Sequence, residues 1–185
     1  MLKKKILSSL ILLAGTGFSC LSSANDDGTV NFIGTISAAA CSVDSVAGTS
    51  GRHGTVDFGV VSSTTLSAVN NATTPVPFTI ALTDCAVASA PTITFNGDSV
   101  AATGGNLFAT PVAGVGIRIE DAAAPTTIYR PGIAAANSGL NALVSDKIPS
   151  ATAAFRAYLV RASGTGAVTG TIDSDVTFTI NYTDS

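Results

Sequence analysis

Near its end the chain reads DVTFTINYTDS, and Val176, Phe178, Ile180 and Tyr182 alternate there with Thr177, Thr179 and Asn181. A repeat of two puts successive side chains on opposite faces, so this stretch reads as a strand with one strongly apolar face and not as an amphipathic helix. The same period appears early, in GTVNFIGTISAAACSVD, Gly28 to Asp44. Val30, Phe32, Gly34 and Ile36 share one side, Thr29, Asn31 and Thr35 the other, and only Ile33 spoils the polar face. Gly34 occupies a place where a buried side chain is expected, which weakens a strand unless another backbone approaches closely.

Between these two stretches the period of two recurs with almost no helical pattern. Strands are predicted over Thr29 to Ile36, Ser42 to Val46, Thr55 to Val61, Val76 to Cys85, Thr92 to Phe95, Gly114 to Asp121, Thr126 to Tyr129, Ala153 to Ala162 and Gly170 to Tyr182. Turn-rich segments separate them: Gly48 to Gly54, Ser62 to Pro75, Asn96 to Asn106, Pro131 to Ser150 and Ser163 to Gly166. A helical turn is expected around Ala134 to Ala136. Many short strands punctuated in this way imply an all-β chain, a β-sandwich of the immunoglobulin type. No internal repeat and no linker divides it.

The first residues stand apart. Lys3, Lys4 and Lys5 precede an apolar run from Ile6 to Leu13 and the small-residue end Ser22-Ser23-Ala24, the pattern of a secretory signal cut after Ala24. The run is too short to span a bilayer, which takes about 20 apolar residues, and no later stretch approaches that length. The expected layout is a signal peptide at 1–24, an N-terminal extension at 25–40 and a domain at 41–185. Without the signal, 161 of the 185 residues remain, a length that suits one domain with one core.

Six basic residues then face twelve acidic ones, a net charge of −6. Phosphate binding needs a clustered positive surface, so nucleic acid is not an expected partner. Charged residues make up 11% of the chain, against about 25% in ordinary globular proteins. Such a surface suits sheets packed closely against other protein.

Two cysteines outlast the signal, Cys41 and Cys85, in a compartment that permits oxidation, and they are expected to pair. On the chain-entropy account a closed loop of that size stabilises the fold by roughly 4 kcal/mol. Catalysis finds little support. His53 is the one histidine, and no base stands ready for a Ser or Cys nucleophile. Glu120-Asp121 reads as a solvated turn and not as a cation site, and Gly164, Gly166 and Gly170 match no phosphate-binding fingerprint. No catalytic residue, metal ligand or cofactor is assigned, and the chain is not read as an enzyme.

After Tyr182 only Thr183, Asp184 and Ser185 follow. An immunoglobulin-like sandwich normally adds a further strand there, which covers the core and completes the sheet. The expected sandwich is therefore incomplete and lacks its last strand, and it exposes an apolar trench beside an unpaired edge, an aggregation hazard for an isolated domain. At its start the chain has one amphipathic strand too many. A strand from another copy would complete the sheet.

These features together resemble the pilins of the chaperone-usher family, the subunits of bacterial fimbriae of the type 1 kind. The resemblance covers essentially the whole mature chain. It is carried by GTVNFIGTISAAACSVD, by PFTIALTDC around Cys85, by GVGIRIED from Gly114 to Asp121, by AAFRAYLV from Ala153 to Val160, and by the terminal strand. In the family a glycine stands twelve positions before a tyrosine, as Gly170 does before Tyr182. That tyrosine is usually next to last, whereas here three residues follow it.

The resemblance implies donor-strand exchange. A periplasmic chaperone lends a strand to the open groove, and at an outer-membrane usher the N-terminal extension of the next subunit replaces it. Val30, Phe32 and Ile36 would then enter a neighbour's groove, flanking Gly34, while Gly170, Val176, Phe178, Ile180 and Tyr182 belong to the acceptor. The implied protein is a structural subunit, a major rod subunit before a minor adaptor, exported through the periplasm into an extracellular fimbrium that supports cell adhesion. Its partners would be other pilin subunits, chaperone and usher. An autonomous secreted β-sandwich binding protein is the remaining alternative.

Overall fold

The computed structural model describes residues 40–86, 89–145 and 149–182. They belong to a compact unit spanning Ile36–Ser185. The strand expected over Thr29 to Ile36 lies outside the described residues.

Among the described residues ten strands follow one another: β1 Ala40–Val46, β2 Thr49–Ser50, β3 Val76–Ala86, β4 Thr92–Asn96, β5 Phe108–Ala109, β6 Val115–Asp121, β7 Ile128–Tyr129, β8 Ala134–Ala136, β9 Ala151–Arg161 and β10 Thr177–Asn181. They form two antiparallel sheets. The first runs β2-β1-β3-β9-β6-β5, with β7 also on β6; the second runs β10-β4-β8.

The sequence explains which side of each strand is buried. In β3, Phe78, Ile80 and Leu82 pack on the core, and in β9 so do Ala153, Phe155, Ala157 and Leu159. From β6 come Val115, Ile117 and Ile119, and from β4 come Ile93 and Phe95. Phe95 is the centre of the aromatic packing. It meets Phe155 at 5.3 Å, Tyr129 at 5.4 Å, and Phe78 and Phe108 at 6.4 Å, all edge to face, the favoured geometry for ring quadrupoles. Phe78 stacks on Phe155 at 4.9 Å, joining neighbouring strands of the first sheet.

Cys41 and Cys85 form the disulfide, with Cα atoms 4.1 Å apart, and it staples β1 to β3. The ladder slips beside it. Ser42 pairs with Thr83 and Ala40 with Ala86, so Cys41 stands opposite two residues, Asp84 and Cys85. Asp84 takes the left-handed conformation, φ 52°, which aspartate tolerates better than most residues.

Several expectations need correction. Thr55 to Val61 carries the strand pattern but makes no ladder among the described residues, and of Gly170 to Tyr182 only Thr177–Asn181 is paired. Ala134–Ala136 is a strand on β4 and not a helical turn, because Ala135 turns inward against the core. Thr49–Ser50 and Phe108–Ala109 are short strands inside or beside segments read as turns. Glu120 and Asp121 are not a solvated turn; they are 6% and 2% exposed. Glu120 lies on the outer face between two cations, 2.9 Å from Arg118 Nε and 3.9 Å from Arg156 Nη2. Arg118 also stands over the Tyr158 ring, 4.8 Å from its centre.

Among the described residues Asp121 is held without a cation. Its carboxylate accepts the N–H groups of Ala123, Ala124 and Ser138, at 2.8, 3.1 and 2.6 Å. Burial pushes this carboxyl up, but the bonds from Ser138, Ala123 and Ala124 outweigh it, and the group titrates below the ordinary carboxylate value. Nearby, the Tyr129 hydroxyl donates to Ala136 O and accepts from the Asn137 amide, and burial lifts it to about 12.

Candidate functional site: an apolar face between unpaired edges

On one side β10 is paired with β4 in unbroken register, from Thr177 opposite Asn96 to Asn181 opposite Thr92. On its other side no strand is paired among the described residues. Unpaired edges of this kind are normally short, charged or covered. Here the edge carries Phe178 and Ile180, both packed on the core and only half-buried, with Thr177 and Thr179 exposed.

The alternation extends well upstream of the ladder. Val168, Ile172 and Val176 pack against the same core and are half-buried, whereas Thr171, Asp173 and Asp175 are exposed. Gly170 shares their parity but is exposed, with φ 151°, a region that side chains avoid. A Cβ there would stand 2.7 Å from Val112 Cγ2, so the glycine serves conformation and close approach and offers no apolar surface.

A second unpaired stretch lies after β2. Val56, Phe58 and Val61 turn onto the core, half-buried, while Thr55, Asp57 and Val60 face solvent, Val60 fully. Asp57 Oδ1 accepts the Gly59 N–H at 2.7 Å and bends the segment before Val60. In β1, Cys41 and Val43 contribute to the same core, and among the described residues β2 pairs with Ser45 and Val46 alone. The Tyr182 hydroxyl donates to Cys41 O at 3.4 Å and so ties the end of β10 to the start of β1; burial pushes this hydroxyl up.

The expected acceptor residues Val176, Phe178, Ile180 and Tyr182 therefore lie on one side, all half-buried. Val30, Phe32, Gly34 and Ile36 lie outside the described residues. The sequence reading missed Val56, Phe58, Val112, Val168 and Ile172 as parts of this face. For Val168 and Ile172 part of the signal was present, since both share the parity of Tyr182, but Ser174 and Gly170 interrupt the apolar series between them and Val176. Val112 sits in a turn and carries no periodic signal. Chemically the arrangement offers apolar half-pockets and free backbone hydrogen-bonding groups, which suits an added strand.

The family described as "Fimbrial protein" matches residues 30–183. The fimbrial-like protein SfmA of Escherichia coli strain K12 is 29% identical over 192 aligned residues, covering 98% of this chain and 99% of SfmA. Among solved structures, a chaperone-usher pilus studied for rod uncoiling superposes with a TM-score of 0.62 at 20% identity, covering 85% of this chain and 96% of the other. The P pilus rod subunit PapA gives 0.60 at 18% identity, covering 77% and 99%. At those identities the structures speak for the fold, an immunoglobulin-like pilin sandwich. The match over residues 30–183 settles the kinship: this chain belongs to the fimbrial protein family.

Proposed function

We propose that the chain is a structural rod subunit of a chaperone-usher fimbria and polymerises by donor-strand exchange. The observation that carries this reading is the open edge of β10, with Val176, Phe178 and Ile180 half-buried beside it. The segment with matching alternation is Val30 to Ile36 of a second copy, laid along that edge. Main-chain hydrogen bonds would provide attachment and alternate side chains specificity. Val30, Phe32 and Ile36 at roughly 1.5–3 kcal/mol each would contribute about 5–9 kcal/mol before ordering costs. Gly34 suits a place where the floor is too shallow for a side chain.

Such a contact is head to tail and does not close on itself, so it builds a filament and not a ring. An exposed apolar edge is an aggregation hazard in transit, which supports a requirement for a periplasmic chaperone before an outer-membrane usher adds the subunit to an extracellular fibre. The test is to mix the mature chain, purified as a monomer, with a synthetic peptide of residues 25–40. A large rise in melting temperature is expected; an unchanged melting temperature would overturn the mechanism.

A further inference from the structure

At the end of β9 the alternation that turns Ala153, Phe155, Ala157 and Leu159 toward the core arrives at Arg161. Its main chain is fixed on both sides. The N–H donates to Asn71 O at 2.8 Å, the carbonyl accepts from Asn70 N–H at 2.9 Å, and Val115 of β6 stands opposite. The residue is only 6% exposed, and its Nε and Nη1 are buried with no hydrogen-bond partner among the described residues. Among the described residues the ion pairs join Glu120 to Arg118 and Arg156, and none involves Arg161. A long cationic side chain can usually lift its head into water, but these two nitrogens do not reach it. Burying two unpaired nitrogens of a guanidinium is costly, so a carboxylate brought from outside to Nη2, which is not one of those two atoms, would be stabilising.

The approach is over Gly164. A Cβ there would stand 2.7 Å from Arg161 Nη2, and Gly164 and Gly166 take φ values of 79° and 88° in an exposed turn. This roof has no side chain directly above the guanidinium. The planar fork of an arginine matches a carboxylate.

We propose that Arg161 receives one carboxylate from the next copy of this chain, and that Asp84 supplies it. The inference rests on the polymer reading above. Arg161 lies at the end of the sandwich from which the approach to β10 starts: Ala162 N–H donates to Gly114 O, and Val112 lies against Gly170. A strand added antiparallel to β10, as β4 is, runs toward this end with its C-terminal side. Ile36 then arrives last, and four residues later the donor's own body begins at Cys41. Asp84 sits beside the Cys41–Cys85 staple, exposed, displayed on the bulge with φ 52°. In the same arrangement Asp26 and Asp27, which precede Val30 in sequence, would come to the opposite end, near Tyr182.

The experiment compares polymers of the full mature chain carrying Arg161→Met, Asp84→Asn or both. Each single variant is expected to dissociate in SDS several degrees below wild type, and the double variant no lower than the worse single. Added salt should narrow the gap. Asp84 is exposed and asparagine accepts its conformation, so that variant remains informative even if Arg161→Met folds poorly. Wild-type stability of Asp84→Asn polymers, or simple additivity in the double variant, would overturn the pairing. Coupling of Arg161 to Asp26→Asn or Asp27→Asn would overturn it too. The peptide of residues 25–40 lacks Asp84 and should raise the melting temperature of Asp84→Asn and wild-type chains equally. Failure with both would strike the strand-exchange reading itself.

Discussion

Asp121 shows how this fold handles a charge that it cannot leave in water. Three N–H groups, from Ala123, Ala124 and Ser138, stand in for a cation and fix the turn after β6 to the turn after β8. Because its folded-state value is lowered, the stabilisation is complete above the ordinary 3.8 and is lost as pH falls through the lower folded value. Acid unfolding of wild type should therefore show a loss of stability in that range that Asp121→Asn lacks. At neutral pH the variant should be less stable by about 2–3 kcal/mol, measured in urea, since charge-assisted bonds are replaced by weaker ones. Gly116 makes a second test at this scale. A Cβ there would stand 2.8 Å from Leu107 Cβ, 2.9 Å from Val100 Cγ2 and 3.1 Å from Phe108 O. The first and last are rigid, so Gly116→Ala should cost about 1–3 kcal/mol through overpacking, read as a lower melting temperature.

Among the elements, β1 and β3 are joined covalently and β10 is held on one side only. The Cys41–Cys85 link closes a separation of 44 residues, so replacing both cysteines by serine should cost about 4 kcal/mol on the chain-entropy account. The same measurement in reductant checks it. At the open edge, Phe32→Asp or Ile36→Asp should give a chain that is made and exported but is not incorporated between subunits. Incorporation at the wild-type level, counted in isolated fibres, would contradict the donor role. The long strands β3, β6 and β9 were legible because their apolar residues recur at every second position, although β6 is buried on both faces and β9 along its last three residues. Thr55 to Val61 reads as strand for the same reason, yet period reports burial and not pairing; Val56 and Phe58 find the core while their backbone finds no ladder. Ala134–Ala136 was unreadable as strand because three alanines have no period, and only pairing with Thr92 to Thr94 defines them. Arg161 hid in plain sight, since its parity in β9 predicted an inward arginine that the sequence reading passed over.

As a whole molecule, the subunit should form polymers that resist SDS at room temperature and dissociate on heating, because strand addition buries apolar side chains and a run of main-chain bonds together. Monomeric migration without heating would count against it. The order of the first sheet has another outcome, for export. β9, residues 151–161, lies between β3 and β6, so the sheet's two halves have no bridge until that late segment is present. A chain threading outward from its N-terminus can make the β1–β3 and β5–β6–β7 fragments early, but such small pieces are only marginally stable in water. On the reading that the chain is exported, it would stay pliable until most of its length has crossed and become rigid only on the far side.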